Sequence, residues 1–218
     1  PRVGPPFGPP ALDDLDRLPF LAGLQRTGIR PGLGRMQRLV ARLGHPERAC
    51  ATVLVTGTNG KGSTSAMLDA ILRAAGHRVG LFSSPHLVDV RERIRIDGKV
   101  VDEAFFAACG VEVRAAMEGG GRAGGVRATF FEALSAIGFL AFARAGVRLA
   151  VVEIGMGGRL DSTNVADPVL SVLTNVSLDH AGFLGPTVDA IAAEKVEVAR
   201  TRRPFVTAVE EGVFNRVV

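Results

Sequence analysis

The stretch ATVLVTGTNGKGSTSAM, residues 51–67, changes character twice within a few positions. Ala51–Val55 is a short β-branched apolar run that ends before Gly57, the pattern of a buried strand. From Ser63 to Ala75 the apolar residues Met67, Leu68, Ile71 and Leu72 recur at helical spacing. The turn between them holds Gly57, Asn59, Gly60, Lys61 and Gly62, with Ser63 and Thr64 opening the helix. A phosphate cradle sits in such a place, because successive N–H groups point inward and the helix end adds partial positive charge. Lys61 would neutralise β- and γ-phosphates, and Ser63 or Thr64 would reach a Mg2+ ion. The spelling departs from G-x-x-x-x-G-K-[ST], with Val55 where the first glycine belongs and Gly62 where the hydroxyl belongs. A plain tight turn with a solvent-facing lysine is the alternative. The crowding of so many chemistry-bearing residues into one turn favours nucleotide.

Working outward, RVGLF (78–82) reads as a second strand and ERIRIDGKVV (92–101) as a hairpin turning at Asp97-Gly98. Helices are expected at 102–118 and 129–145, separated by the loose EGGGRAGG loop. RLAVVEIG (148–155), VLSVLTNV (169–176) and RPFVTAV (203–209) read as further strands, with a helix near 187–200. Before the cradle, residues 11–44 carry a helical pattern through Leu12, Leu15, Leu18 and Leu21, then Met36, Leu39, Val40 and Leu43. Strands alternating with helices predict an α/β fold, a mostly parallel sheet flanked by helices and P-loop NTPase-like. Residues 1–10, PRVGPPFGPP, are expected to be a flexible arm before one domain spanning 11–218. EEGVFNRVV (210–218) resembles the start of another helix, so the chain is expected to be a fragment.

Hydrophobic residues at 47% and a mean hydropathy of +0.24 supply a real core. No apolar run approaches the roughly 18 residues of a membrane helix, and no secretory signal is visible. A formal charge of +4 with scattered basic residues gives no phosphate-tracking stripe, so neither nucleic acid nor membrane is an expected partner. Cys50 and Cys109 have no metal spacing and read as reduced thiols of a cytoplasmic protein. Lysine occurs only at Lys61, Lys99 and Lys195, all other cations being arginine. Where such a chain keeps lysine, an amine is a candidate for chemistry.

Two more strand ends carry candidates. Glu153 closes an apolar strand before GMGG, where ligands of open α/β sheets bind, and a carboxylate beside a phosphate loop suits Mg2+. A dinucleotide G-x-G-x-x-G reading fails because position 160 is Leu. Asp179 and His180 follow the next strand. A lone histidine is usually structural, but this one shares its sheet end with the other candidates.

GTNGKGST, SSPHLVDVRERIRIDG, ATFFEAL, EIGMGGRLDSTN and SLDHAGFLG, in this order, resemble dihydrofolate synthase/folylpolyglutamate synthase of the Mur ligase superfamily. RPGLGRMQRLVARLG resembles that family's first helix, so the likeness runs from about Leu18 to Lys195. The resemblance implies the Mur ligase central domain and an ATP-dependent amide ligase. Such an enzyme adds L-glutamate to dihydropteroate or folates through an acyl phosphate. It places ATP phosphates on Gly57, Thr58, Asn59, Gly60, Lys61, Gly62, Ser63 and Thr64. It places Mg2+ on Ser84, Glu153 and His180, with Ser63 alongside, and makes Lys61, Glu153, His180 and Lys195 catalytic. Lys195 matches a lysine that the superfamily carbamylates, although Val196 and Glu197 follow it where the family has a small residue and a glycine. Thr129, Phe131 and Asp161 match the pterin pocket, and Ser83–Arg93 a mobile loop beside the substrate. Family members run to about twice this length, so the chain alone is not expected to turn over. A monomer is expected, with ATP, the pterin acid and glutamate as small-molecule partners. The alternatives are a non-catalytic nucleotide-binding module, another Mur-type ligase, or a P-loop phosphotransferase unrelated to folate.

Overall fold

A computed structural model describes residues 18–119, 124–209 and 212. The strands are β1 (Ala51–Thr56), β2 (Val79–Phe82), β3 (Ile94–Ile96), β4 (Lys99–Val100), β5 (Leu149–Glu153), β6 (Pro168–Leu173) and β7 (Phe205–Thr207). They form one sheet in the order β4-β3-β2-β5-β1-β6-β7. The pairs β2·β5, β5·β1, β1·β6 and β6·β7 are parallel, and the β3–β4 hairpin adds antiparallel pairing at one edge. The fold is thus α/β with a mostly parallel sheet. Asp97 and Gly98 both adopt positive φ, 51° and 78°, as a two-residue hairpin turn requires.

The helices are α1 (Pro19–Leu24), α2 (Gly34–Arg42), α3 (Lys61–Ala74), α4 (Glu103–Glu118), α5 (Phe130–Arg144), α6 (Ala181–Leu184) and α7 (Val188–Val196). Helix α3 covers one face of the sheet, over Val53, Val55, Val79, Leu81 and Val151. On the other face α5 is buried from Glu132 to Phe142 and packs with α1, α2 and α4 into the larger core. Its start is fixed by a capping box: Thr129 N donates to Glu132 Oε2 at 2.7 Å, and Glu132 N donates to Thr129 Oγ1 at 3.3 Å.

The helical pattern expected over 11–44 is broken in the structure. Helix α1 ends in a 3-10 turn, Gln25–Thr27, and α2 begins only at Gly34. Gly28 and Gly32 have φ of 66° and 131° with Pro31 between them, a backbone no helix continues through. The helix expected at 187–200 stops at Val196, and α6 forms within the SLDHAGFLG motif. The arm at 1–10 and residues 11–17 lie outside the described residues, as does the 210–218 helix apart from the helical Gly212. No helix among the described residues is long and apolar enough to cross a membrane. Cys109 is buried, Cys50 is half-buried, and both are free.

Candidate active site

Strands β1, β2, β5 and β6 end on the same side of the sheet, and each delivers one part of the site. After β1, Gly57 turns with φ of 149°. A Cβ there would stand 1.9 Å from Thr174 Oγ1, so only glycine fits. The loop is then tied to the residues after β6. Thr174 Oγ1 donates to Asn59 O at 2.6 Å, Asn59 N donates to Asn175 Oδ1 at 2.9 Å, and Ser177 N donates to Thr58 Oγ1 at 3.1 Å. Gly60, at φ 78°, opens α3 without any side-chain cap, which leaves first-turn N–H groups for an incoming anion. Lys61 folds back over the loop and donates to Gly57 O at 3.1 Å and Thr58 O at 3.0 Å.

Glu153 closes β5 and is 3% exposed. Its Oε2 accepts from Ser84 N at 3.0 Å. Both carboxylate oxygens lie 3.7 Å from where a Cβ on Gly62 would stand, so the carboxylate faces the start of α3. Burial raises its pKa, while the Ser84 N–H and the Lys61 and Arg93 charges oppose the rise. A hard carboxylate and a serine hydroxyl from Ser84, both on residues that line the same cleft, are oxygen donors of the kind Mg2+ takes. Among the described residues no group of three or more His, Cys, Asp or Glu side chains is placed to hold a metal. Any ion there would depend on hydroxyls, water and phosphate oxygens for its remaining ligands.

A cleft of about 540 Å3 brings these parts together. Lys61, Ser84, Glu153 and His180 line it, and so do Thr129, Phe131 and Asp161. Phe131 is braced by Phe82, with ring centroids 5.9 Å apart and planes tilted 59°. It also packs so close to Gly155 that a Cβ there would meet Phe131 Cζ at 2.5 Å. Asp161 is spent largely on its own loop. It accepts from Met156 N at 3.0 Å, Thr163 N at 2.9 Å and Thr163 Oγ1 at 2.5 Å. Burial raises its pKa against these hydrogen bonds. His180 has φ of 50°, and its ring stands 3.5 Å from the Asp179 carboxylate with half its side chain exposed.

Lys195 lies on α7 and not among the cleft-lining residues, yet it is only 4% exposed. Its Nζ donates to Gly57 O at 2.8 Å, the same carbonyl that Lys61 uses. Burial first, then the Lys61 charge, lowers its pKa to about 8, against Asp179 and Asp161. Glu197, which follows closely in sequence, is exposed and turned away to solvent. Ser63 is exposed on the first turn of α3 and does not line the cleft, and Thr64 is half-buried beside it.

Two parts of the cleft were given no individual role from the sequence. The Gly28–Pro31 loop forms one wall, brought there by Arg35, whose guanidinium bridges Glu132 at 2.9 Å. Arg93 lines the cleft beside Glu153. The Ser83–Arg93 segment, expected to move, is held in shape by Glu92. Its carboxylate accepts from Leu87, Val88 and Asp89 N–H groups at 2.9–3.0 Å, which lowers its pKa. Leu87 and Val88 at the tip stay exposed.

Residues 55–209 match the family model for the Mur ligase middle domain. The chain is 46% identical over 188 residues to a probable bifunctional folylpolyglutamate synthase/dihydropteroate synthase of Haloferax volcanii, covering 86% of the chain and 22% of that protein. It is 40% identical over 204 residues to the dihydrofolate synthase/folylpolyglutamate synthase of Bacillus subtilis, covering 93% of the chain and 47% of that protein. Among solved structures, E. coli FolC in complex with DHPP and ADP matches with a TM-score of 0.85 at 35% identity, over 96% of this chain and 50% of that one. The chain therefore spans about half the length of the Bacillus and E. coli relatives. With the cradle after β1, the carboxylate ending β5 and the matched span of 55–209, this chain belongs to the Mur ligase family through its middle domain.

Proposed function

We infer that the protein carrying this chain is an ATP-dependent amide ligase that joins L-glutamate to a pterin acid, dihydropteroate or a folate. The observation that supports this most is the single cleft that runs from Lys61 and Glu153 to the Phe131 wall. It gives a phosphate site and an aromatic-lined acceptor site a common boundary. DHPP and ADP, named for the E. coli relative, are ligands of these two kinds.

In the inferred reaction a carboxylate oxygen of the pterin acid attacks the γ-phosphorus of ATP. The new O–P bond forms as the bridging P–O bond breaks and ADP leaves. The glutamate amine then adds to the acyl carbon, the C–O bond to phosphate breaks, and inorganic phosphate departs with loss of the ammonium proton. Gly57–Thr64 and the N-terminus of α3 would bind the phosphates, and Lys61 would turn from Gly57 O and Thr58 O to the γ-phosphoryl oxygens. Glu153 and Ser84 would hold Mg2+, with His180 at the edge of the site, and the ion would offset charge gathering on the transferred group. Phe131 would stack on the pterin ring, with Thr129 and Asp161 at its edge.

Lys195 fits the carbamylated role. A buried amine with a pKa of about 8 is partly neutral near physiological pH, as reaction with CO2 requires, and an arginine could not replace it. A bicarbonate-dependent mass gain on the peptide containing Lys195 is the corresponding readout.

The test is the whole protein supplied with ATP, Mg2+, L-glutamate and either dihydropteroate or folate. Amide product with release of ADP and phosphate is expected. ATP binding without amide product from either acid would overturn the reading in favour of a nucleotide-binding module.

A further inference from the structure

Arg93 ends the short 3-10 turn Val90–Arg93, just before β3, and its side chain reaches into the cleft. Its Nε donates to His86 Nδ1 at 2.8 Å, which requires that ring nitrogen to be an unprotonated acceptor. Its guanidinium carbon stands 5.8 Å from the centroid of the Phe130 ring. One edge and one face of the guanidinium are therefore fixed. Among the described residues no hydrogen bond or ion pair engages either Nη group.

A cation held this way is costly unless something pairs with it. Burial pulls its pKa down to about 10, and Glu153 compensates only in part and from beyond ion-pair distance. The missing partner is an anion that the cleft receives. Glu153 feels two cations, Lys61 and Arg93. Lys61 belongs to the phosphate loop. Arg93 instead stands on the side of Phe130, next in the chain to the Phe131 wall.

Resting on the ligase reading above, which brings two anions together, we propose that Arg93 grips the acceptor carboxylate. Its two Nη groups hold the two carboxylate oxygens of the pterin acid side by side, with one oxygen directed at the γ-phosphorus. A planar fork matches a carboxylate in a way an ammonium does not. When that oxygen bonds to phosphorus and ADP leaves, the other becomes the acyl carbonyl oxygen and keeps its Nη donor. Charge returns to that oxygen when the amine adds, and leaves it again as phosphate departs. His86 is a positioning residue, since it sets the direction of the fork through Nε.

The test uses the whole protein with Arg93→Gln, Arg93→Lys and His86→Ala variants. Binding of dihydropteroate and of its carboxamide analogue is measured in the presence of a non-hydrolysable ATP analogue. The wild type is expected to prefer the carboxylate by about tenfold or more, and Arg93→Gln to bind both alike with unchanged nucleotide affinity. Amide formation should fall about 100-fold in Arg93→Gln, chiefly in kcat. Arg93→Lys, which keeps the charge and is the less disruptive change, should retain part of the preference and lose most of the rate. His86→Ala should lower kcat more than it alters the preference. The proposal is overturned if Arg93→Gln keeps the wild-type preference for carboxylate. It is equally overturned if that variant loses nucleotide affinity instead, because its partner would then be phosphate. A wild type that binds dihydropteroate but forms no amide overturns the ligase reading itself, a result the variants cannot imitate.

Discussion

Replacing Lys195 by Met tests the burial of that amine directly. In the folded chain its pKa falls from the ordinary 10.5 to about 8, chiefly because burial disfavours the charged form. At 4% exposure little solvent screening applies, and the shift corresponds to about 3 kcal/mol. The sign follows from proton counting. Below about pH 8 the lysine is charged in both states, so the folded state carries the full cost of burying it. Between about pH 8 and pH 10.5 the unfolded chain binds more protons, so stability rises with pH through that window. Lys195→Met removes this rise. The variant should match or exceed the wild type at about pH 7 and lose the advantage by about pH 10, a change in relative stability of about 3 kcal/mol. The chain contains no Trp or Tyr, so urea unfolding is best followed by far-ultraviolet circular dichroism, in bicarbonate-free buffer. Equal pH slopes for wild type and variant would show that the amine does not titrate from a buried site, and the reasoning would fail.

Gly57→Ala forces a Cβ against Thr174 Oγ1 at 1.9 Å and a non-glycine residue to φ of 149°. Strain and the lost Thr174–Asn59 bond should together cost about 2–4 kcal/mol, read as a lower urea midpoint, and nucleotide binding should disappear. Glu153→Gln keeps the shape and an acceptor for Ser84 N–H, so its unfolding midpoint should stay within about 1 kcal/mol of wild type. On the ligase reading, steady-state assays of the whole protein should nevertheless find turnover down by about 100-fold or more, with the Mg2+ dependence of nucleotide binding weakened. Phe131→Ala removes the ring that Phe82 braces. Titration should find pterin affinity reduced about tenfold and ATP affinity unchanged.

Local chemistry made much of this legible in the sequence. The β1–loop–α3 unit announces itself through β-branched residues, glycines and a helical stripe, all of which act within a few positions. Glu153 and His180 could be placed because parallel strands share an end, so any polar residue after an apolar run falls on one rim. The break between α1 and α2 was hidden, because apolar spacing on either side of Gly28–Gly32 reads as continuous while the backbone is not. The burial of Lys195 carries no local signal on its helix, because the carbonyl that satisfies the buried amine belongs to Gly57, 138 positions away. Arg93 was placed beside the substrate only as the end of the Ser83–Arg93 loop and had no role of its own, because its neighbours His86, Phe130 and Glu153 come from three separate segments.

The carbonyl of Gly57 accepts from both Lys61 and Lys195. The two amines share one acceptor, which has a lone pair for each, and their like charges repel across it. On the ligase reading proposed above, Lys61 would leave this carbonyl for a phosphate, and a neighbouring positive charge would move away from Lys195. A covalent change that removes the Lys195 charge would in turn remove the repulsion between the two amines and favour Lys61 in its place at the carbonyl. Thermodynamic linkage then requires the two events to influence one another by the same factor. On that reading nucleotide occupancy and the chemical state of Lys195 would be coupled across a single oxygen atom, and measuring either one as a function of the other would report on both.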